Sequence, residues 1–371
     1  MATKPALFIG IMSGTSMDGI DVVLADFEDD GVRLHASAAI NYPEVLSARL
    51  MLARTVSGEL QVDELCQLDR LVGLAFANAA LQLLDEHDVD PGDIVAIGSH
   101  GQTLRHRTDS DPAFSLQVGD PNTIAAVTKI QTVADFRRRD IALGGQGAPL
   151  ACAFHQYLIA GRVNTGVLNL GGIANLTIFK TGEDVRGYDT GPASTLLDLV
   201  AQKRLGVEFD KDGESARAGQ VDAVSLKKLL ADPYFEKREP KSTGFEYFNE
   251  RWLQEKLGSR LEAITTADLL ATLTELTAAS IAQSVDDGHN KLKEIFVCGG
   301  GVNNRFLLER LEILCSGSNI RSSSALGADP GWMEALAFAW LARETLSGRP
   351  GNLISVTGAS EPAILGAIFA A

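Results

Sequence analysis

Apolar and polar positions along this chain switch repeatedly between two periods. Residues 6–12, ALFIGIM, are a continuous apolar run, and IDVVLADFED from Ile20 turns acidic only at its end, so two strands are expected. SGTSMDG joins them, and its glycines suit a tight connection, which makes the opening a β-hairpin. In residues 62–87, VDELCQLDRLVGLAFANAALQLLDEH, apolar residues recur at three and four, predicting a long amphipathic helix. DIVAIGSHGQT, 93–103, reads as a buried strand running into a polar loop. The pattern restarts at 132 with TVADF as a strand, RRRDIALGGQGAPL as a long glycine-rich loop, and an apolar helix from Ala151 to about Ala160. GVLNLGGIANLTIF, 166–179, repeats the grammar of the opening hairpin, which suggests an internal duplication. EIFVCGGGVNNRFLLERLEIL, 294–314, runs strand, three glycines, two asparagines, amphipathic helix. A helix, WMEALAFAWLARETL, then precedes a break at Pro350 and Gly351 and an apolar tail.

At 371 residues, with 45% hydrophobic and 22% charged positions, the chain is too long for one ordinary core and expected to be globular with two lobes. The formal charge of −15 argues against nucleic acid or an anionic membrane as a partner, so any anionic ligand must be held by local donors. Cys66, Cys152, Cys298 and Cys315 form no C-x-x-C pair and have no histidine at zinc spacing, which fits a reducing cytoplasm. Lys4 followed by PALFIGIM resembles a secretory leader, but Asp18 and Asp21 end the apolar stretch too soon, and no later run reaches membrane-spanning length.

Each glycine cluster alone says little. Two strand-turn-strand corners and a strand–GGG–helix element together would present backbone N–H groups to phosphate, without basic side chains. The opening loop adds the hydroxyls of Ser13, Thr15 and Ser16, and Asp18 is either a turn-capping residue or a ligand for Mg²⁺. Neither G-x-G-x-x-G nor the P-loop signature is present.

Seven motifs, GIMSGTSMDGID, IGSHGQT, VADFRRRDIALGGQGAPL, LNLGGIANLT, GYDTGP, VCGGGVNN and VTGA, occur in that order across nearly the whole chain. Together they resemble the anhydro-N-acetylmuramic acid kinases. The resemblance implies an α/β, two-lobed actin/hexokinase/Hsp70-like (ribonuclease-H-like) fold with an interlobe ATP cleft. It implies that Gly14, Thr15, Ser16, Met17, Asp18 and Gly19, with Asn169, Gly171, Gly172 and Asn175, grip the ATP phosphates. Gly299, Gly300, Gly301 and Asn304 would lie against the adenosine. The implied reaction converts 1,6-anhydro-N-acetylmuramic acid, ATP and water into N-acetylmuramate 6-phosphate and ADP, in cell-wall sugar recycling, with Mg²⁺ and a homodimer. The expected lobes are 1–131 plus 345–371, and 132–344. Where the family often reads DTGPGN, this chain has Ala193 and Ser194.

Water attacking the anomeric carbon needs a general base, whereas the leaving O6 can be relieved of charge by the γ-phosphorus, so no general acid is required. Asp189, just past the second hairpin with Gly187 and Gly191 around it, is the candidate and matches the family's catalytic aspartate. The competing reading makes Asp189 a helix cap, a role for which Ser194 is better placed. Arg137 and Arg138 read as solvated charges, while the resemblance gives Arg139 a sugar contact, with Asp135 as anchor for the arginines. His100, Gln102 and Thr103 suit either a satisfied strand end or a substrate-lining one, and Glu334 reads as either a surface residue or, by the resemblance, an acceptor for sugar hydroxyls. Two rivals remain on sequence alone: a plain sugar kinase of the same fold, and a non-catalytic nucleotide switch.

Overall fold

The computed structural model describes residues 5–14, 19–28, 31–55, 60–239, 241–285 and 291–371. Two compact units emerge, one built from the N-terminal part to Ala160 together with Leu326–Ala371, the other from Gly161–Ala325. These limits lie elsewhere than the sequence suggests. The strand at 132–134 pairs inside the first sheet, and the helix Met333–Leu346 packs on that same sheet, so residues on both sides of the expected boundaries share one core.

The first sheet contains β1 (Leu7–Ser13), β2 (Ile20–Glu28), β3 (Gly31–Ile40), β4 (Ile94–Arg107), β5 (Phe114–Val118) and β6 (Thr132–Ala134). The second contains β7 (Thr165–Leu170), β8 (Ile173–Phe179), β9 (Arg186–Pro192), β10 (Glu294–Cys298) and β11 (Asn319–Ser322), while β12 (Ala367–Phe369) returns to the edge of the first. Strand order is β12-β6-β4-β1-β2-β3 in one sheet, with β5 beside β4, and β11-β10-β7-β8-β9 in the other. The central patterns coincide. In each, a hairpin and a third antiparallel strand lie on one side, and two parallel strands follow on the other: β1–β2–β3 with β4 and β6, and β7–β8–β9 with β10 and β11. The suspected duplication is therefore one of topology.

The opening hairpin forms as the sequence predicts, with Ile9 opposite Leu24 and Ile11 opposite Val22. The long helix is Val62–Glu86, and its buried stripe of Leu68, Val72, Phe76, Ala80 and Leu83 closes over the sheet core of Ile9, Ile11, Val22, Leu24 and Ile97. Two expectations change. IGSHGQT does not leave the sheet: β4 continues to Arg107, crossing Gly101 at φ +78° and folding back on β5. The glycine-rich loop opens with a short helix, Arg138–Ala142.

Helix Met333–Leu346 approaches the first sheet unusually closely, and two glycines permit it. Gly10 and Gly98 are cross-strand partners on β1 and β4. A Cβ on Gly10 would lie 1.9 Å from the Ala335 carbonyl oxygen, and one on Gly98 would lie 2.0 Å from that of Phe338. Any side chain there would displace the helix, so these positions fix the height of its first turn, which carries Glu334.

Candidate active site

Two constellations stand out, one in each unit. In the first, the ends of the opening loop are tied to β4. Ser13 Oγ lies 2.7 Å from both the Gly19 carbonyl and Gln102 Oε1, and Gln102 Nε2 donates to the Gly14 carbonyl at 3.1 Å. Tyr42 OH donates more weakly to the same Oε1 at 3.4 Å, and burial raises its pKa. Gln102 is fully buried, and Thr103, half-buried, accepts from Gln117 Nε2 at 3.2 Å. Both the oxygen and the nitrogen of the Gln102 side-chain amide thus act on the loop's flanks. Thr15, Ser16, Met17 and Asp18 lie outside the described residues.

Beyond β6, Asp135 adopts φ +65°, a left-handed conformation rare for a non-glycine residue, and accepts from Arg138 Nε at 2.7 Å. Asp135 therefore anchors an arginine, as expected. The reading of Arg137 as a solvated charge is corrected. Its Nε and Nη2 donate to His100 Nε2 at 3.1 and 2.8 Å, and its Nη1 donates to the Gly147 carbonyl at 2.7 Å. Accepting two guanidinium hydrogens on one ring nitrogen requires His100 to be neutral there, and burial and the Arg137 charge both hold its pKa well below the ordinary value. Its ring packs on Phe338, with centroids 4.6 Å apart. Burial lowers Arg137 to about 10, with Glu334 and Asp140 opposing the shift. Glu334 has accessible surface, yet the protein crowded around it raises its pKa, with Arg137 opposing. Arg139 and Arg138 are exposed.

Asp140, which the sequence did not single out, organises the glycine-rich loop. Fully buried, it accepts from the Gly147 amide at 2.7 Å, Asn352 Nδ2 at 2.8 Å and Thr357 Oγ1 at 2.7 Å. A Cβ on Gly145 would lie 2.2 Å from Asp140 Oδ2, so the loop is wrapped directly around the carboxylate. The motif around residue 145 and the one at 356–359 are thereby joined.

In the second unit, the ladder aligns three polar residues. Asn169 on β7 faces Asn175 on β8, and Asn175 faces Asp189 on β9. Asp189 Oδ2 accepts from the Thr243 amide at 2.9 Å. Its backbone is held as well, with its N–H donating to the Lys241 carbonyl at 3.1 Å and its carbonyl accepting from Tyr234 OH at 2.7 Å. Burial pushes the Asp189 carboxyl up to about 6; the Thr243 bond and the Lys241 charge oppose this, and Glu246 adds to it. The carboxylate is not a helix cap. The helix Ser194–Leu205 has Ala193 at its N-cap position with no side-chain cap, so Ser194 does not take that role either. The amides of Ala193 and Thr195 donate instead to the Gly172 carbonyl at 2.9 and 3.1 Å, and that of Ser194 to the Gly171 carbonyl at 3.1 Å. Carbonyls of the β7–β8 turn cap the helix.

Gly299, at φ +83°, passes so close to β7 that a Cβ would meet Asn169 Oδ1 at 2.3 Å, and one on Gly301 would meet Leu170 Cβ at 2.6 Å. Gly300 differs, with nothing within 4 Å of the same position. Its backbone is the open face of the triplet. Asn304 caps the helix Arg305–Leu314, accepting from the Leu307 amide at 3.0 Å.

The open Gly300 backbone suits a flat ligand such as a nucleotide base. For a divalent cation, no group of three or more candidate ligands exists among the described residues, and Asp18 lies outside them. No helix among the described residues is long and apolar enough to cross a membrane.

The repeated strand order, a hairpin plus one antiparallel strand followed by two parallel strands, is the α/β topology expected of an actin/hexokinase-like fold. A family model described as anhydro-N-acetylmuramic acid kinase matches residues 6–371. Relatives of that name from Xanthomonas axonopodis pv. citri and Shewanella amazonensis are 50% and 48% identical. The first match covers 98% of both chains, and the second 99% of both. Among solved structures, component A of Acidaminococcus fermentans (R)-2-hydroxyglutaryl-CoA dehydratase is 13% identical, with a TM-score of 0.47 over 90% of this chain and 96% of that one. The chain belongs to the anhydro-N-acetylmuramic acid kinase family.

Proposed function

We propose that this kinase opens the ring of 1,6-anhydro-N-acetylmuramic acid with water while transferring the γ-phosphoryl group of ATP to O6, giving N-acetylmuramate 6-phosphate and ADP for cell-wall sugar recycling. One observation carries the mechanism: Asp189 combines a pKa raised to about 6 with an oxygen fixed by a backbone amide. A carboxylate of that basicity is mostly ionised at neutral pH, yet a better proton acceptor than a solvated aspartate. Asp189 Oδ2 stays on the Thr243 amide, and Oδ1 takes a proton from the water that attacks the anomeric carbon. The anomeric C–O6 bond breaks as O6 bonds to the γ-phosphorus and the bridging oxygen leaves with ADP. Charge developing on O6 passes to phosphorus, so one carboxylate suffices.

Phosphate binding falls to the backbone of Gly14 and Gly19 and of the intervening Thr15, Ser16, Met17 and Asp18, whose flanks Ser13 and Gln102 hold, and to Asn169, Gly171, Gly172 and Asn175. Gly299, Gly300, Gly301 and Asn304 form the adenosine side. Mg²⁺, held by Asp18, would neutralise phosphate charge when bound. Glu334 and Arg139 contact sugar hydroxyls; His100, Thr103 and Asp135 support that surface, with Gln102 acting through the loop. The enzyme is proposed to be cytoplasmic and homodimeric, in keeping with its acidity, the absence of C-x-x-C spacing among its four cysteines and the family resemblance. Incubation with ATP, Mg²⁺ and the anhydro sugar, followed by mass detection, tests the reading. It stands if the product gains both water and a phosphoryl group, and falls if either gain occurs alone.

A further inference from the structure

A cavity of about 340 Å³ lies within the second unit, lined by residues on either side of Asp189 in β9 but not by Asp189 itself. Tyr188 and Thr190 flank Asp189 on β9 and line this cavity, and the ladder shifts register between Asp189 and Gly191, where a Cβ on Gly191 would meet the lining residues Phe235 at 2.9 Å and Ser280 at 3.1 Å. Lys237, Arg238 and Lys241 converge on it. The acidic lining residue, Glu239, is engaged by the Arg186 guanidinium, which leaves the cavity strongly cationic in a chain of net charge −15. Its walls combine the rings of Tyr188 and Phe235 with the hydroxyls of Ser280 and Ser284. Lys241 Nζ sits 5.0 Å from the Tyr234 ring centroid and 5.8 Å from that of Tyr188, so aromatic faces hold it at the rim.

We infer that this cavity is a second ligand site, separate from the catalytic one, for a small phosphorylated sugar. Three cations match a phosphate dianion, the hydroxyls match sugar oxygens, and the aromatic walls match a sugar's apolar face. The site also touches the catalytic base through the backbone. The Lys241 carbonyl accepts from the Asp189 amide, and Thr243, two residues on, donates to the Asp189 carboxylate. An anion seated against Lys241 is thus one backbone hydrogen bond from Asp189, and a phosphorylated sugar is the chemistry of the proposed product.

Calorimetric titration with glucose 6-phosphate tests the inference and requires no turnover, so it is independent of the reaction proposed above. The wild-type protein is compared with Lys237→Glu/Arg238→Glu, two exposed positions outside the catalytic machinery, each with and without a saturating non-hydrolysable ATP analogue plus anhydro sugar. The expected result is saturable binding to the wild type that persists with both substrates present and weakens at least tenfold in the charge-reversed variant. Absence of binding at millimolar probe, equal binding to the variant, or displacement by the substrates would overturn it. Inorganic phosphate, run in parallel, should bind more weakly than the sugar phosphate; equal affinity would contradict the assignment of the hydroxyl and aromatic walls to a sugar.

Discussion

At the residue scale, the proposed chemistry depends on Asp189 being expensive to ionise. Its carboxyl titrates near 6 in the folded protein and near 3.8 when unfolded, so the folded state holds its proton more tightly. The sign follows by linkage: the residue costs no stability below pH 3.8, becomes destabilising as pH rises through the interval, and has its full cost above 6. Asp189→Asn keeps the shape and removes that cost. It should raise the unfolding free energy at pH 8 by on the order of 1–3 kcal/mol, with the gain vanishing by pH 4, while kcat falls by a factor on the order of 10² to 10⁴. Chemical denaturation at the two pH values checks the first, and steady-state assays the second. A variant that is inactive but no more stable at pH 8 would mean that the carboxylate is not strained by burial. In the wild type, activity should fall on the acid side with an apparent pKa near 6, because protonation removes the base.

Arg137 was misread because a run of three arginines carries no mark of which one turns inward; only the fold brings His100 against it. With its guanidinium between a neutral histidine and the Glu334 field, Arg137→Met should leave those groups without their charge partner. The expected result is a loss of at least tenfold in kcat/KM for the sugar, with the KM for ATP changed less than twofold. Equal losses for both substrates would point to general damage to the fold.

At the scale of elements, both glycine hairpins and the strand–GGG–helix unit were legible because each joins a hydrophobic run to a glycine corner, and the helices Val62–Glu86 and Met333–Leu346 through their apolar spacing, whereas the helix Thr266–Val285, buried along most of its length, shows no amphipathic stripe to mark it. The edge strand β3 was not, since GVRLHASAAI is largely exposed or half-buried and its apolar pattern is weak. Two of the three partners of Asp140, Asn352 and Thr357, lie 212 and 217 positions away, beyond any local pattern, and Thr243 reaches Asp189 across 54. The sequence could mark which loops matter but not what holds them. Gly10 and Gly98 illustrate the same limit: they look like ordinary strand glycines, yet each meets a helix carbonyl. Gly98→Ala should destabilise the protein by about 1–3 kcal/mol and lower activity in proportion to the displacement of Glu334. An unchanged melting temperature would show that the helix is not seated on that glycine.

At the scale of the whole molecule, the repeated sheet order accounts for the two glycine-cornered hairpins, since β1–β2 and β7–β8 occupy equivalent positions. Backbone amides and hydroxyls supply the proposed nucleotide contacts, which is how a chain of charge −15 can bind ATP without a basic face. A non-hydrolysable ATP analogue at a hundredfold excess over its Kd should stabilise the fold by about 2.7 kcal/mol, read as a rise in thermal midpoint. No rise at saturating analogue would show that the glycine loops do not form a nucleotide site.

In the proposed reaction, one step couples hydrolysis of the anhydro bond to phosphorylation of O6, with Asp189 drawing the proton from water. Brief turnover in H₂¹⁸O with ATP, Mg²⁺ and the anhydro sugar, followed by mass fragmentation of the product, tests it most directly. The expected product carries one ¹⁸O at the anomeric carbon and none in its phosphoryl group, and labelling and phosphorylation are lost together in Asp189→Asn. Label in the phosphoryl group, or a phosphorylated sugar whose anhydro ring is intact, would contradict it.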